Sequence, residues 1–147
     1  VDGGWSSADG ASVLPAFSKS FTVGEALRER PDVRLWQSTL PCSGTKEALE
    51  INFDRPIDRH RLDTELRLVT HDGQAIDGTP RIGENETFWR FVPNEVWAAG
   101  DLYVTVNSAL EDVAGNNFRD LLDQRVGNED FDPSVTTLQV HLSSCPR

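Results

Sequence analysis

Three histidines, two cysteines and a scatter of loop carboxylates are the residues of this sequence with the types needed for catalysis or metal binding. His60, His71 and His141 show no paired-ligand spacing, and the chain carries no H-E-x-x-H, C-x-x-C or G-x-x-x-x-G-K signature. They read as solvated histidines on a turn, a loop and the outward face of a late strand. A Gly-x-Ser-x-Gly nucleophile elbow is also missing. A reactive thiolate needs a base or cation beside it, whereas Cys42 lies between Pro41 and Ser43-Gly44 with no His or Lys adjacent, in what reads as a turn. No catalytic residue is assigned, and no enzyme activity is expected. Cys42 and Cys145 are then either free thiols of a reducing compartment or the halves of one disulfide.

Calcium requires several hard oxygens converging at roughly 2.3 to 2.6 Å, and two loops offer such groups. Glu111, Asp112 and Asn116 form one set; Asn128, Glu129, Asp130 and Asp132 form the other. Neither follows the D-x-[DN]-x-[DN]-G pattern, so Asp112, Asn116, Asp130 and Asp132 are weak calcium candidates and no cofactor is expected. The competing reading is that Asp112 and Asn116 bond their own turn, with Gly115 at positive φ, and that 128–132 is a solvated loop. Trp36, Trp89 and Trp97 are candidates for stacking on sugar rings, but large rings more often fill cores, and Trp89 lies inside the alternation Phe88-Trp89-Arg90-Phe91. Asn85-Glu86-Thr87 matches the N-glycosylation sequon.

The elements that must position these groups have a period of two. Leu49, Ile51 and Phe53 alternate with Glu50, Asn52 and Asp54, which predicts a strand with one face on a core and one in water. Similar runs occur at 66–69, 88–92, 102–106 and 138–142, where Leu138, Val140 and Leu142 share a face. Turn signals separate them at Pro41 to Gly44, Asp72-Gly73, Asp77-Gly78, Gly83, Pro93-Asn94, Gly100 and Gly115-Asn116. Short strands with frequent turns predict an all-β sandwich or barrel. Helix is minor, with one turn from Asp58, a fitting N-cap, to Leu62 and another near Arg119 to Asp123. The 147 residues suffice for one domain with a sizeable core, since 37% are hydrophobic. A formal charge of −10 with no Lys/Arg cluster argues against nucleic acid, which is bound through cationic side chains. No run approaches the length of a membrane span, so no membrane insertion is expected.

An internal repeat emerges when residues 106–115 are laid without gaps under residues 1–10. Val1 meets Val106, Trp5 meets Leu110 and Gly10 meets Gly115, and each copy runs on into an alternating segment, Phe17 to Val23 and Val135 to Leu142. Residues 1–29 are therefore read as the C-terminal remnant of a preceding repeat plus linker, and 30–147 as a complete domain. A remnant strand exposing Phe17 and Phe21 needs a partner, which predicts self-association through residues 13–23.

The series Pro41-Cys-Ser-Gly-Thr45, Leu49-Glu-Ile-Asn-Phe-Asp-Arg-Pro-Ile57, Thr87-Phe-Trp-Arg-Phe-Val-Pro93, Trp97-Ala-Ala-Gly100 and Leu110-Glu-Asp-Val-Ala-Gly-Asn116 resembles bacterial Ig-like domains of the S-layer and surface-protein type. The resemblance implies an Ig-like antiparallel β-sandwich of about seven strands, in tandem within an exported bacterial protein. It also implies first and last strands running side by side, which would bring Cys42 and Cys145 together as a disulfide. An oxidising, extracytoplasmic location follows: periplasmic, cell surface or secreted. The function implied is structural or adhesive, spacing or presenting other domains of the same polypeptide or meeting cell-surface proteins. The alternatives are a carbohydrate- or calcium-binding module and an accessory domain of a secreted hydrolase.

Overall fold

The computed structural model describes residues 3–13, 15–20, 22, 24–119 and 135–145. Seven strands form in the order β1 (Gln37–Thr39), β2 (Leu49–Asn52), β3 (Leu66–Thr70), β4 (Gly78–Ile82), β5 (Phe88–Pro93), β6 (Gly100–Asn107) and β7 (Val135–Leu142). One sheet runs β1-β2-β5-β4 and the other β3-β6-β7, with every pairing antiparallel. That is the strand order of a seven-stranded, constant-type immunoglobulin sandwich.

The period-two pattern holds where it was expected. Leu49 and Ile51 are fully buried while Glu50 and Asn52 lie half-exposed between them. Leu66 and Leu68 from β3, Leu102, Val104 and Val106 from β6, and Val140 and Leu142 from β7 meet them from the opposite sheet. Trp36, Trp89 and Trp97 all belong to this core, with at most 6% of their surface exposed. Trp89 stacks on Phe91, ring centroids 5.4 Å apart. Asp58 caps the helix α1 (Arg59–Glu65), its carboxylate accepting the His60 N–H, and the helix runs one turn beyond the expected Leu62.

Two strands escape the alternation rule. β4 reads as turn sequence, Gly78-Thr-Pro-Arg-Ile82, yet it is an edge strand, where the missing N–H of Pro80 costs no ladder bond. Its flanking glycines mark close ring contacts rather than turns. A Cβ at Gly78 would lie 2.4 Å from the Phe91 ring and one at Gly83 2.0 Å from the Phe88 ring. β1, at the opposite edge of the same sheet, has all three residues exposed.

Two expectations change. β1 and β7 are not neighbours in one sheet; they lie in different sheets, and the segments that follow them meet across the gap between the layers, where the Ser43 N–H donates to the Ser143 carbonyl at 3.0 Å. Pro15 to Ser20 and Thr22 form no strand, because a lone segment has no adjacent ladder to satisfy its backbone, and Phe17 is 62% exposed. Phe21 and Val23 lie outside the described residues. So does the expected helical turn beyond Arg119, which is itself a bend.

Candidate functional site

The ladder registers give the sandwich two poles. Asn52 pairs with Phe88, and Leu66 with Val106, at one end, whereas Thr70 pairs with Leu102, and Gly100 with Leu142, at the other. The segment before Val33 meets the first pole, and the segment after Leu142 leaves from the second.

At the entry pole the loop after β6 is built around Asp112. Its Oδ1 accepts the N–H groups of Ala114 and Asn116, both at 2.9 Å, and the Gly115 N–H returns to the Asp112 carbonyl at 2.9 Å. Gly115 has φ +85°, the left-handed conformation such a turn needs. The other oxygen, Oδ2, faces the Asn116 amide at 3.2 Å and Arg55 Nη1 at 3.6 Å. Asp112 has no exposed side-chain surface, and a buried carboxylate requires such a cation and such donors.

The same two donors reach the chain that leads into the domain. Asn116 Nδ2 donates to the Leu27 carbonyl at 2.9 Å, and Arg55 Nη1 to the Glu29 carbonyl at 2.9 Å. Arg30 Nη1 donates in return to the Phe118 carbonyl at 3.3 Å. Arg55 is fixed by Asp54, whose Oδ2 takes its Nε at 2.8 Å while Oδ1 takes the Trp36 indole N–H at 3.1 Å. Asp32 then caps a 3₁₀ turn (Val33–Leu35) and is held below the ordinary carboxylate range, first by its hydrogen bond from Arg34. The linker from Leu27 to Asp32 is thus clamped by side chains on the domain it enters.

The exit pole is closed covalently. Cys42 and Cys145 form a disulfide with Cα atoms 5.4 Å apart, although 103 positions separate them. The Pro41 to Thr45 turn is stitched to the β5–β6 loop by Gly44 N–H to the Trp97 carbonyl at 2.8 Å and Trp97 N–H to the Thr45 carbonyl at 2.9 Å. The Trp97 indole N–H donates to the Glu47 carbonyl at 2.7 Å.

Of the calcium candidates, Asp112 and Asn116 lie together: both Asp112 carboxylate oxygens accept from the turn or face Arg55, and the Asn116 side-chain amide nitrogen donates to Asp112 and to Leu27. Asn128, Glu129, Asp130 and Asp132 lie outside the described residues. Among the described residues no cluster of three or more His, Cys, Asp or Glu side chains has metal-holding geometry. His60 and His71 are exposed, while His141 Nδ1 lies 2.6 Å from Asp101 Oδ1 across β7 and β6. Trp5 is 65% exposed.

Arg55 is the residue that pattern reading missed. It sits inside Phe-Asp-Arg-Pro-Ile, and the only signal was a cation wedged between an apolar strand and a proline; its partner is 57 positions away.

The segments 7–10 and 112–115 form similar turns. The Gly10 N–H donates to the Ser7 carbonyl at 2.8 Å as Gly115 does to Asp112, both glycines have positive φ, and the bridges Ser6↔Val13 and Glu111↔Asn117 flank the two turns.

No family model matches this chain, and neither does any curated protein. Among solved structures it is similar to native alpha-2-macroglobulin of Escherichia coli, with a TM-score of 0.55 at 12% identity, covering 82% of this chain and 6% of that one. A crystal structure of that protein spanning domains MG0-NIE-MG1 gives a TM-score of 0.54 at 11% identity, covering 82% and 34%. The S-layer protein rSbsC gives 0.48 at 12% identity, covering 69% and 12%. At such identities the likeness to the alpha-2-macroglobulin structures is one of fold. This chain spans a small part of each of these proteins. No helix among the described residues is long and apolar enough to cross a membrane.

Proposed function

We propose that this chain is a non-enzymatic structural or adhesive module of an exported bacterial protein, spacing or presenting the domains on either side of it. The observation that carries the reading is directional. The chain enters at one pole, where Asn116 and Arg55 hold the linker, and leaves at the other, so copies or other domains would line up end to end with a fixed entry angle. In this reading residues 1–29 are the end of a preceding repeat and its linker, and 30–147 are the full domain; the matching turns at Ser7 to Gly10 and Asp112 to Gly115 support it. The disulfide favours an oxidising, extracytoplasmic location. Folds of this class host many unrelated functions, so the site and not the sandwich must decide.

The test is a panel of hydrolase substrates, a glycan array and a calcium titration followed by melting temperature. The expected result is no turnover, no saturable glycan binding and no shift with calcium. Turnover abolished by a single acidic or Ser substitution would overturn the reading, as would saturable binding of a sugar or of Ca²⁺.

A further inference from the structure

We propose that the Cys42–Cys145 disulfide makes this module a tension shunt, so that load arriving through the flanking chain passes from Cys42 to Cys145 and bypasses β2 to β7. The proposal deepens the spacer reading, on which its use in the parent protein rests. When an uncrosslinked sandwich is pulled by its ends, tension runs along the whole backbone and must be resisted by ladder hydrogen bonds and core packing. Here the two cysteines bracket β2 to β7 and α1, and the covalent path between them is a few atoms long. Within residues 27–41, the clamped linker, the turn at Val33–Leu35 and β1 precede Cys42 in the load path. β1 is three exposed residues paired to β2 alone, so this entry segment peels first. Peeling then stops at a covalent bond. The 103 steps from Cys42 to Cys145 would extend to about 360 Å at roughly 3.5 Å per residue. The disulfide withholds nearly all of that, since it keeps the two Cα atoms 5.4 Å apart.

The step is reversible in a defined way. A dithiol reductant attacks one sulfur as a thiolate and forms a mixed disulfide; its second thiol then displaces the chain's sulfur. The reductant leaves as a disulfide, and the chain gains two thiols. Cys145 is exposed, so the bond is within reach of such a reagent.

The experiment is single-molecule pulling of the full chain through handles at its two ends. The oxidised chain should release only the entry segment, with no step near 360 Å at any force that spares covalent bonds. The double variant Cys42→Ser, Cys145→Ser should add that step. If this variant fails to fold, the unsubstituted chain pulled in dithiothreitol should show the same step after a delay that shortens with reductant concentration. A 360 Å step in the oxidised chain without reductant overturns the proposal, as does alkylation of both cysteines in the untreated protein, or no added step on reduction. Turnover or glycan binding would instead sink the spacer reading and leave these pulling results standing.

Discussion

The two poles of the sandwich solve the same problem with different chemistry. Each is plugged by a tryptophan whose indole N–H is satisfied, Trp36 by Asp54 at the entry and Trp97 by the Glu47 carbonyl at the exit. At the entry, order depends on an ionic and amide network among Asp54, Arg55, Asp112 and Asn116, which also grips the linker. At the exit, order depends on one covalent bond. A disulfide acts mainly by restricting the unfolded chain, whereas a buried charge network acts only in the folded state and sets geometry. The entry pole therefore holds the linker and the exit pole secures the whole domain.

Removing the covalent closure should have the largest effect. Cys42→Ser with Cys145→Ser frees a loop of about 100 residues, which in the chain-entropy model is worth about 4 to 5 kcal/mol. Denaturant unfolding should show that loss while trypsin cleavage of the linker in the native state stays unchanged. An equal acceleration of linker cleavage would mean that the poles are coupled.

Arg55→Ala should come next and should do both things. It strands the Asp112 carboxylate in the interior, a cost of about 3 kcal/mol, at the low end for a broken buried pair because two backbone N–H groups still hold Oδ1. It also deletes the bond to the Glu29 carbonyl, so a drop in unfolding midpoint should accompany a faster-cleaved linker.

Asn116→Ala separates the two effects at the entry pole. Global stability should fall by about 2 kcal/mol, because the substitution removes a buried donor to the charged Asp112 carboxylate as well as the bond to Leu27. Proteolysis of 24–32 should accelerate several-fold, because the bond to Leu27 is lost while Arg55 and Asp112 stay paired.

The smallest effect belongs to the exposed pair His141 and Asp101 near the exit. Asp101 is held below its ordinary value, chiefly by its hydrogen bond with His141. A depressed folded-state value stabilises above the ordinary carboxylate range, and that gain fades as pH falls through the lowered value. Asp101→Asn should thus lower the melting temperature slightly at pH 6, and the difference from the parent should close below about pH 4.

What was legible in the sequence follows from which forces leave a local trace. Burial of one strand face does, so Leu49, Ile51, Trp89, Phe91, Val104 and Val140 stood out by alternation. The Asp112 to Asn116 turn was equally visible, since its hydrogen bonds close within five residues. β4 was hidden because an edge strand tolerates Pro80, and because Gly78 and Gly83 are demanded by rings on the neighbouring strand. The linker clamp was hidden because its bonds join Leu27 to Asn116 and Glu29 to Arg55, contacts that only the folded topology creates. Phe17 to Val23 taught the converse, for alternation without a neighbouring ladder gave no strand among its described residues.

The claim that the linker belongs to the domain it enters is tested most directly by timed trypsin digestion of the native chain, comparing cleavage after Lys19 with cleavage after Arg28. Arg28 lies between Leu27 and Glu29, whose carbonyls Asn116 and Arg55 hold, so Lys19 should be cut well before Arg28, and Asn116→Ala should narrow the gap. Equal rates at the two sites in the parent chain would contradict a clamped entry.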